Sequence, residues 1–147
     1  MSEKTESAFR LSYRVATDIR ANPRAIWDRL TDAPGFSKWN STVERIEGPI
    51  ALGRKLALHV PIAPGRIFSP RVVVLEEPAR MVWQDGFFPM FQGTRTFALT
   101  EKGGGVTGFE MEEVFRGVML PMIKRSLPDF GPVFDRFAAD LKKACEG

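Results

Sequence analysis

The chain has 147 residues, a net charge of +3 and an apolar fraction of 44%, the size and mix of one globular domain rather than a disordered or fibrous chain. A pI near 9.3 without any basic block argues against a nucleic-acid footprint, and no apolar run approaches the length of a membrane span. One His and one Cys cannot build a His/Cys zinc site, and the lone Cys145 excludes an internal disulfide.

Residues 1–8 are polar and expected to fray, leaving 9–146 as one domain. Phe9 to Ile19 alternates roughly between apolar and polar side chains and reads as a half-buried strand. Asn22-Pro23 is a helix start: Asn22 can cap, and Pro23 at the first helical position needs no donor. Ile26, Trp27 and Leu30 follow at helical spacing until Asp32-Ala33-Pro34-Gly35 ends the helix, and Phe36 to Trp39 forms a second short one.

The pattern then turns to strands: Val43–Glu47, Lys55–Val60, Phe68–Glu76, Arg80–Gln84, Thr94–Thr100 and Val106–Phe115, each bounded by Gly, Pro, Asn or Asp. Short links between consecutive strands predict an antiparallel meander rather than βαβ units. Pro121 permits a helical turn carrying Met122, Ile123 and Leu127. Asp129 is the expected cap of a long last helix with a stripe of Phe130, Phe134, Phe137 and Leu141. The expected architecture is α+β: a curved seven-stranded antiparallel sheet laid around the C-terminal helix, with two short helices after the first strand.

The aromatic complement is twelve Phe and three Trp against one Tyr, which suits an apolar interior better than a polar catalytic cleft. The expected cavity wall is Trp39 from the second short helix, with Trp83, Phe97, Phe109, Met111 and Phe115 from the sheet. Met119, Met122, Ile123, Leu127 and Phe130 complete it from the helical side. Strand alternation puts Phe109, Met111, Glu113 and Phe115 on one face, and Arg95 with Phe97 on one face of the preceding strand. Those two strands form a hairpin around Glu101–Gly105, so Arg95 and Glu113 can meet inside. Such a pair either closes the barrel mouth structurally or orients the polar head of a ligand.

His59 alternates with Ala57, opposite Leu56, Leu58 and Val60, and is expected to face solvent; Asp85 is expected at a rim. Met119–Ile123 reads as a cavity lid or helix start rather than a membrane-touching surface. There is no nucleophile elbow, Walker loop or dinucleotide fingerprint, so no cofactor is expected.

The order of elements and several local phrases resemble the helix-grip superfamily. It comprises START lipid-transfer domains, birch-pollen-allergen relatives and polyketide aromatase/cyclases, together called SRPBCC. The phrases are Asn22-Pro23-x-x-x-Trp27, Trp39-Asn40 with Ile46-Glu47-Gly48, Trp83 before Phe91-x-Gly93, Phe97, Phe109-x-x-x-Glu113-x-Phe115-x-Gly117, and Leu120-Pro121. The resemblance covers about residues 9–146 and implies a fold with a hollow interior, not a reaction. Related members often carry Gly-x-His-x-Phe where this chain has Gly93-Thr94-Arg95-Thr96-Phe97, and Gln or His in place of Met111. Both differences remove a neutral polar group from the cavity side.

The expected function is binding of a small hydrophobic molecule (a lipid, isoprenoid or polyketide-like aromatic). The resemblance also implies a polyketide cyclase/dehydratase, in which Arg95 polarises a carbonyl and Glu113 moves a proton. A stress-linked protein-interaction domain occurs on the same fold. The expected setting is the cytoplasm, without nucleic acid or stable membrane insertion. Homodimerisation stays open.

Overall fold

The computed structural model describes residues 1–147. Glu3–Glu6 (β1) pairs antiparallel with Arg10–Ile19 (β2), Glu3 facing Arg14 and Glu6 facing Leu11. The N-terminus therefore forms an edge strand where fraying was expected. All four β1 residues are exposed, so backbone pairing orders them with no apolar signal to announce it. In β2, Leu11, Tyr13, Val15 and Ile19 are buried, as the alternation required.

Pro23–Leu30 (α1) begins as expected, with Asn22 Oδ1 accepting a hydrogen bond from Ala25 N at 2.8 Å. Ile26, Trp27 and Leu30 form its buried stripe. Phe36–Trp39 (α2) follows, with Phe36 fully buried.

The expected single meander divides in two. Arg45–Glu47 (β3), Ala57–His59 (β4) and Ile67–Phe68 (β5) form a separate three-stranded sheet. Arg71–Glu76 (β6), Arg80–Phe87 (β7), Phe91–Gly103 (β8) and Val106–Arg116 (β9) join β1 and β2 in a six-stranded antiparallel sheet, ordered β1-β2-β9-β8-β7-β6. Pro49 and Gly53 after β3, and Pro61, Pro64 and Gly65 after β4, interrupt the ladder donors and turn the chain before longer strands can form. The small sheet is tied to β6 through Gly53 N to Val72 O, Val72 N to Arg54 O and Leu56 N to Pro70 O, at 2.8, 3.0 and 2.8 Å.

Leu120–Ile123 (α3) runs into a 3-10 turn, and Gly131–Glu146 (α4) crosses the concave face of the large sheet. Phe130 occupies the cap position of α4, one residue later than expected. Asp129 Oδ1 still accepts a hydrogen bond from Gly131 N at 3.0 Å.

Val133, Phe134, Phe137, Ala138 and Leu141 face the sheet. Phe137 is the hub of this layer. Its ring lies 5.7 Å from that of Trp39 and 6.0 Å from those of Phe36 and Phe97, and it stacks on Phe109 at 6.2 Å. That half of the concave face is thereby filled with packed side chains. No helix is long and apolar enough to cross a membrane.

Candidate functional site

The other half is open. A cavity of about 230 Å³ lies between the two sheets and the α3–α4 segment. The large sheet contributes Trp83, Asp85 and Gly86 from β7, Phe91, Gly93 and Arg95 from β8, and Glu113 and Phe115 from β9. Leu58, Val60, Arg66, Phe68 and Pro70 come from the small sheet and its flanks, and Ile123, Leu127 and Phe130 close the helical side.

Apolar rings dominate these walls. Phe91 and Phe115 stack at 6.0 Å with 16° between planes, and Phe115 and Phe130 at 5.7 Å with 25°. The result is a file of three near-parallel rings, a surface suited to a flat partner.

Into this setting the β8–β9 ladder delivers one ion pair. Arg95 and Glu113 are direct partners in the register. Arg95 Nε donates to Glu113 Oε1 at 2.8 Å, and Nη2 lies 2.8 Å from the same oxygen. Both side chains are largely buried, 12% and 14% exposed, and the guanidinium lies 5.1 Å from the Phe134 ring centre. Glu113 Oε2 and Arg95 Nη1 make no hydrogen bond within the protein. Gly93 lies beside them: a Cβ there would come within 3.4 Å of Oε2 and of the Phe115 ring. The pair thus keeps one acceptor and one donor free in a mostly apolar hollow, an arrangement that can orient a polar substituent.

The structure brings together Trp83, Arg95, Glu113, Phe115, Ile123, Leu127 and Phe130 from the expected set. It does not place Trp39, Phe97, Phe109 or Met111 on the cavity. Phe97, Phe109 and Met111 are buried beneath α4, and Trp39 packs against Phe36 and Phe137. They share the correct face of their elements, but α4 occupies the space in front of them. Met119 lines no part of the hollow, and Met122 is 76% exposed, because Leu120 and Ile123 take the inward positions of α3.

The wall residues that sequence reasoning missed are Leu58, Val60, Arg66, Phe68, Pro70, Gly86, Phe91 and Gly93. Their signal was partial: Phe91-x-Gly93 stood among the family phrases, whereas residues 58–70 carried only short-strand alternation. Asp85 reaches the cavity as a rim residue, its Oδ1 accepting from Gly86 N at 2.8 Å. His59 stays outside, between Arg45 and Glu47 at 3.4 and 3.7 Å. Trp83 Nε1 is buried with no acceptor in the protein. No group of three or more His, Cys, Asp or Glu is gathered as a metal cluster would require.

The sequence family described as "Polyketide cyclase / dehydrase and lipid transport" matches residues 10–146. The chain belongs to this family. Solved structures place the family member on the START/SRPBCC helix-grip fold. Norcoclaurine synthase from Thalictrum flavum, a point mutant with a transition-state analogue, superposes with a TM-score of 0.71 at 13% identity, covering 96% of this chain and 97% of that one. A START superfamily protein from Mycobacterium smegmatis gives 0.67 at 16%, covering 92% and 97%. CalU16 from Micromonospora echinospora gives 0.64 at 15%, covering 98% and 88%. At these identities the likeness carries the fold alone. Comparison with curated proteins gives no match.

Proposed function

We propose that the cavity binds a compact, flat, apolar molecule bearing one hydroxyl or carbonyl group, of the polyketide-aromatic kind. The observation that carries this reading is the Arg95–Glu113 pair, with Oε2 and Nη1 unengaged, beside the stacked rings of Phe91, Phe115 and Phe130. Apolar walls supply affinity and the pair sets orientation. At about 230 Å³ the hollow lies below the usual range of roughly 300–1,000 Å³ for ligand pockets, which favours a ring system over a long acyl chain.

The test is native mass spectrometry of the purified protein, followed by identification of what denaturation releases. A discrete aromatic adduct supports the proposal. A clean apo mass after incubation with hydroxylated aromatics refutes it. In titration calorimetry Glu113→Gln should weaken binding of such a compound about tenfold; unchanged affinity would remove the pair from the site.

A second reading uses the same two free atoms catalytically. In a cyclase or dehydratase, Arg95 Nη1 would polarise a carbonyl and Glu113 Oε2 would move a proton, with the cavity holding the chain in a reactive pose. Under this reading turnover, not only affinity, is lost in Glu113→Gln.

A further inference from the structure

Three connections meet at one end of the large sheet. They are the β1–β2 link at Phe9, the β7–β8 turn at Phe88–Met90, and the passage from β9 into α3 at Gly117–Met119. Backbone hydrogen bonds weld them together: Gly117 N to Phe9 O at 3.1 Å, Val118 N to Pro89 O at 2.9 Å, and Met119 N to Met90 O at 3.0 Å. This end nevertheless presents bare apolar side chains. Phe87 is 67% exposed, Phe9, Phe88 and Val118 each 56%, and Met122 76%. Large apolar residues gathered this way on a rigid surface are unusual for a face that meets only water.

Within these connections the charge has one sign, with Glu6 and Asp85 at their borders. Segments 7–10, 86–91 and 116–125 contain Arg10, Arg116, Lys124 and Arg125, and no Asp or Glu. Lys124 pairs with Glu6 from β1. The Arg116 guanidinium lies over the Phe88 ring at 4.6 Å, Arg10 touches only the Ser12 hydroxyl, and none of these three arginines has a carboxylate partner.

We propose that this end of the molecule docks on the surface of an anionic lipid bilayer. The phenylalanines and Met122 enter the interface, and Arg10, Arg116 and Arg125 meet the headgroups. Two observations favour a bilayer. The apolar groups come from separate segments around a hollow lined by Phe9, Arg10, Phe88, Pro89, Arg116 and Val118, where apolar walls and two arginines together suit lipid chains with an anionic headgroup. A second copy packed face to face would bring two sets of unpaired arginines together, which opposes self-association. Gly86, Phe91 and Ile123, which line the cavity, are sequence neighbours of Phe87, Met90 and Met122, so the docked face adjoins the hollow. The proposal does not depend on what the cavity holds.

The test is flotation of the full chain with vesicles of phosphatidylcholine alone and of phosphatidylcholine mixed equally with phosphatidylglycerol. Binding should require the anionic lipid and weaken as salt rises. The double substitution Phe87→Ser/Phe88→Ser should lower it about tenfold or more, and Arg125→Ala about fivefold. The independent pair Phe9→Ser/Met122→Ser should repeat the loss, and Leu52→Ser, exposed but on a different loop, should bind as wild type. Circular dichroism keeps loss of fold apart from loss of docking. Failure of the wild type to float with either vesicle, or unchanged flotation of both double variants, would overturn the proposal. So would a dimer in sedimentation velocity that the substitutions dissociate while no vesicle binding is seen.

Discussion

Arg95 and Glu113 stand directly opposite each other on β8 and β9, and the arginine spends two of its nitrogens on one carboxylate oxygen. This one-sided geometry holds the ion pair together while leaving the other half of each group free.

The cost of breaking the pair differs from the cost of removing it. Arg95→Met alone leaves a carboxylate largely buried without its counter-ion, and should destabilise by about 2–3 kcal/mol. Adding Glu113→Leu should restore much of that loss, since two apolar side chains suit the surrounding rings. Urea unfolding of the two single variants and the double variant measures the difference. A double variant as unstable as the sum of the singles would show that the two side chains are not coupled, and would contradict this expectation.

Phe137 should be the most sensitive position in α4. Its ring meets four other aromatic rings, and it is 1% exposed. Phe137→Ala should lower stability by about 3–5 kcal/mol and leave a second hollow beside Trp39, Phe97 and Phe109. Chemical denaturation checks the first expectation, and xenon binding the second.

Acid should loosen the junction between β2 and the end of α4. Glu146 accepts hydrogen bonds from Lys142 Nζ and Arg20 N, each at 2.8 Å, which hold its carboxyl at about 2 against an ordinary 4.5. The folded state keeps Glu146 ionised where the unfolded state protonates it. Its contribution is therefore full above about pH 4.5 and is lost as pH falls toward 2. Glu146→Gln should be less stable at neutral pH and show a flatter fall in melting temperature between these limits. Parallel curves for the two proteins would contradict this linkage.

Local chemistry was the readable part of the sequence. The Asn22-Pro23 helix start depends on adjacent residues, and strand alternation was enough to bring Arg95 and Glu113 together. What stayed hidden depends on distant parts of the chain. Phe97, Phe109 and Met111 have the same inward parity as Arg95 and Glu113, and only the path of α4 separates filled space from open space. The strand at Glu3–Glu6 carries no apolar pattern because it is an exposed edge. The division of the sheet follows from breaks whose combined effect on pairing could not be read from any one turn.

Because the sheet is divided, the cavity is bounded by two walls of unequal stiffness. On one side β8 and β9, thirteen and eleven residues long, are bonded along their length. On the other, Leu58 and Phe68 belong to strands of three and two residues, anchored to the rest by a few backbone contacts. Amide exchange should be faster across 57–68 than across 93–115. A guest that needs more room will find it by displacing the thin wall, so that size tolerance resides there and orientation in the rigid one.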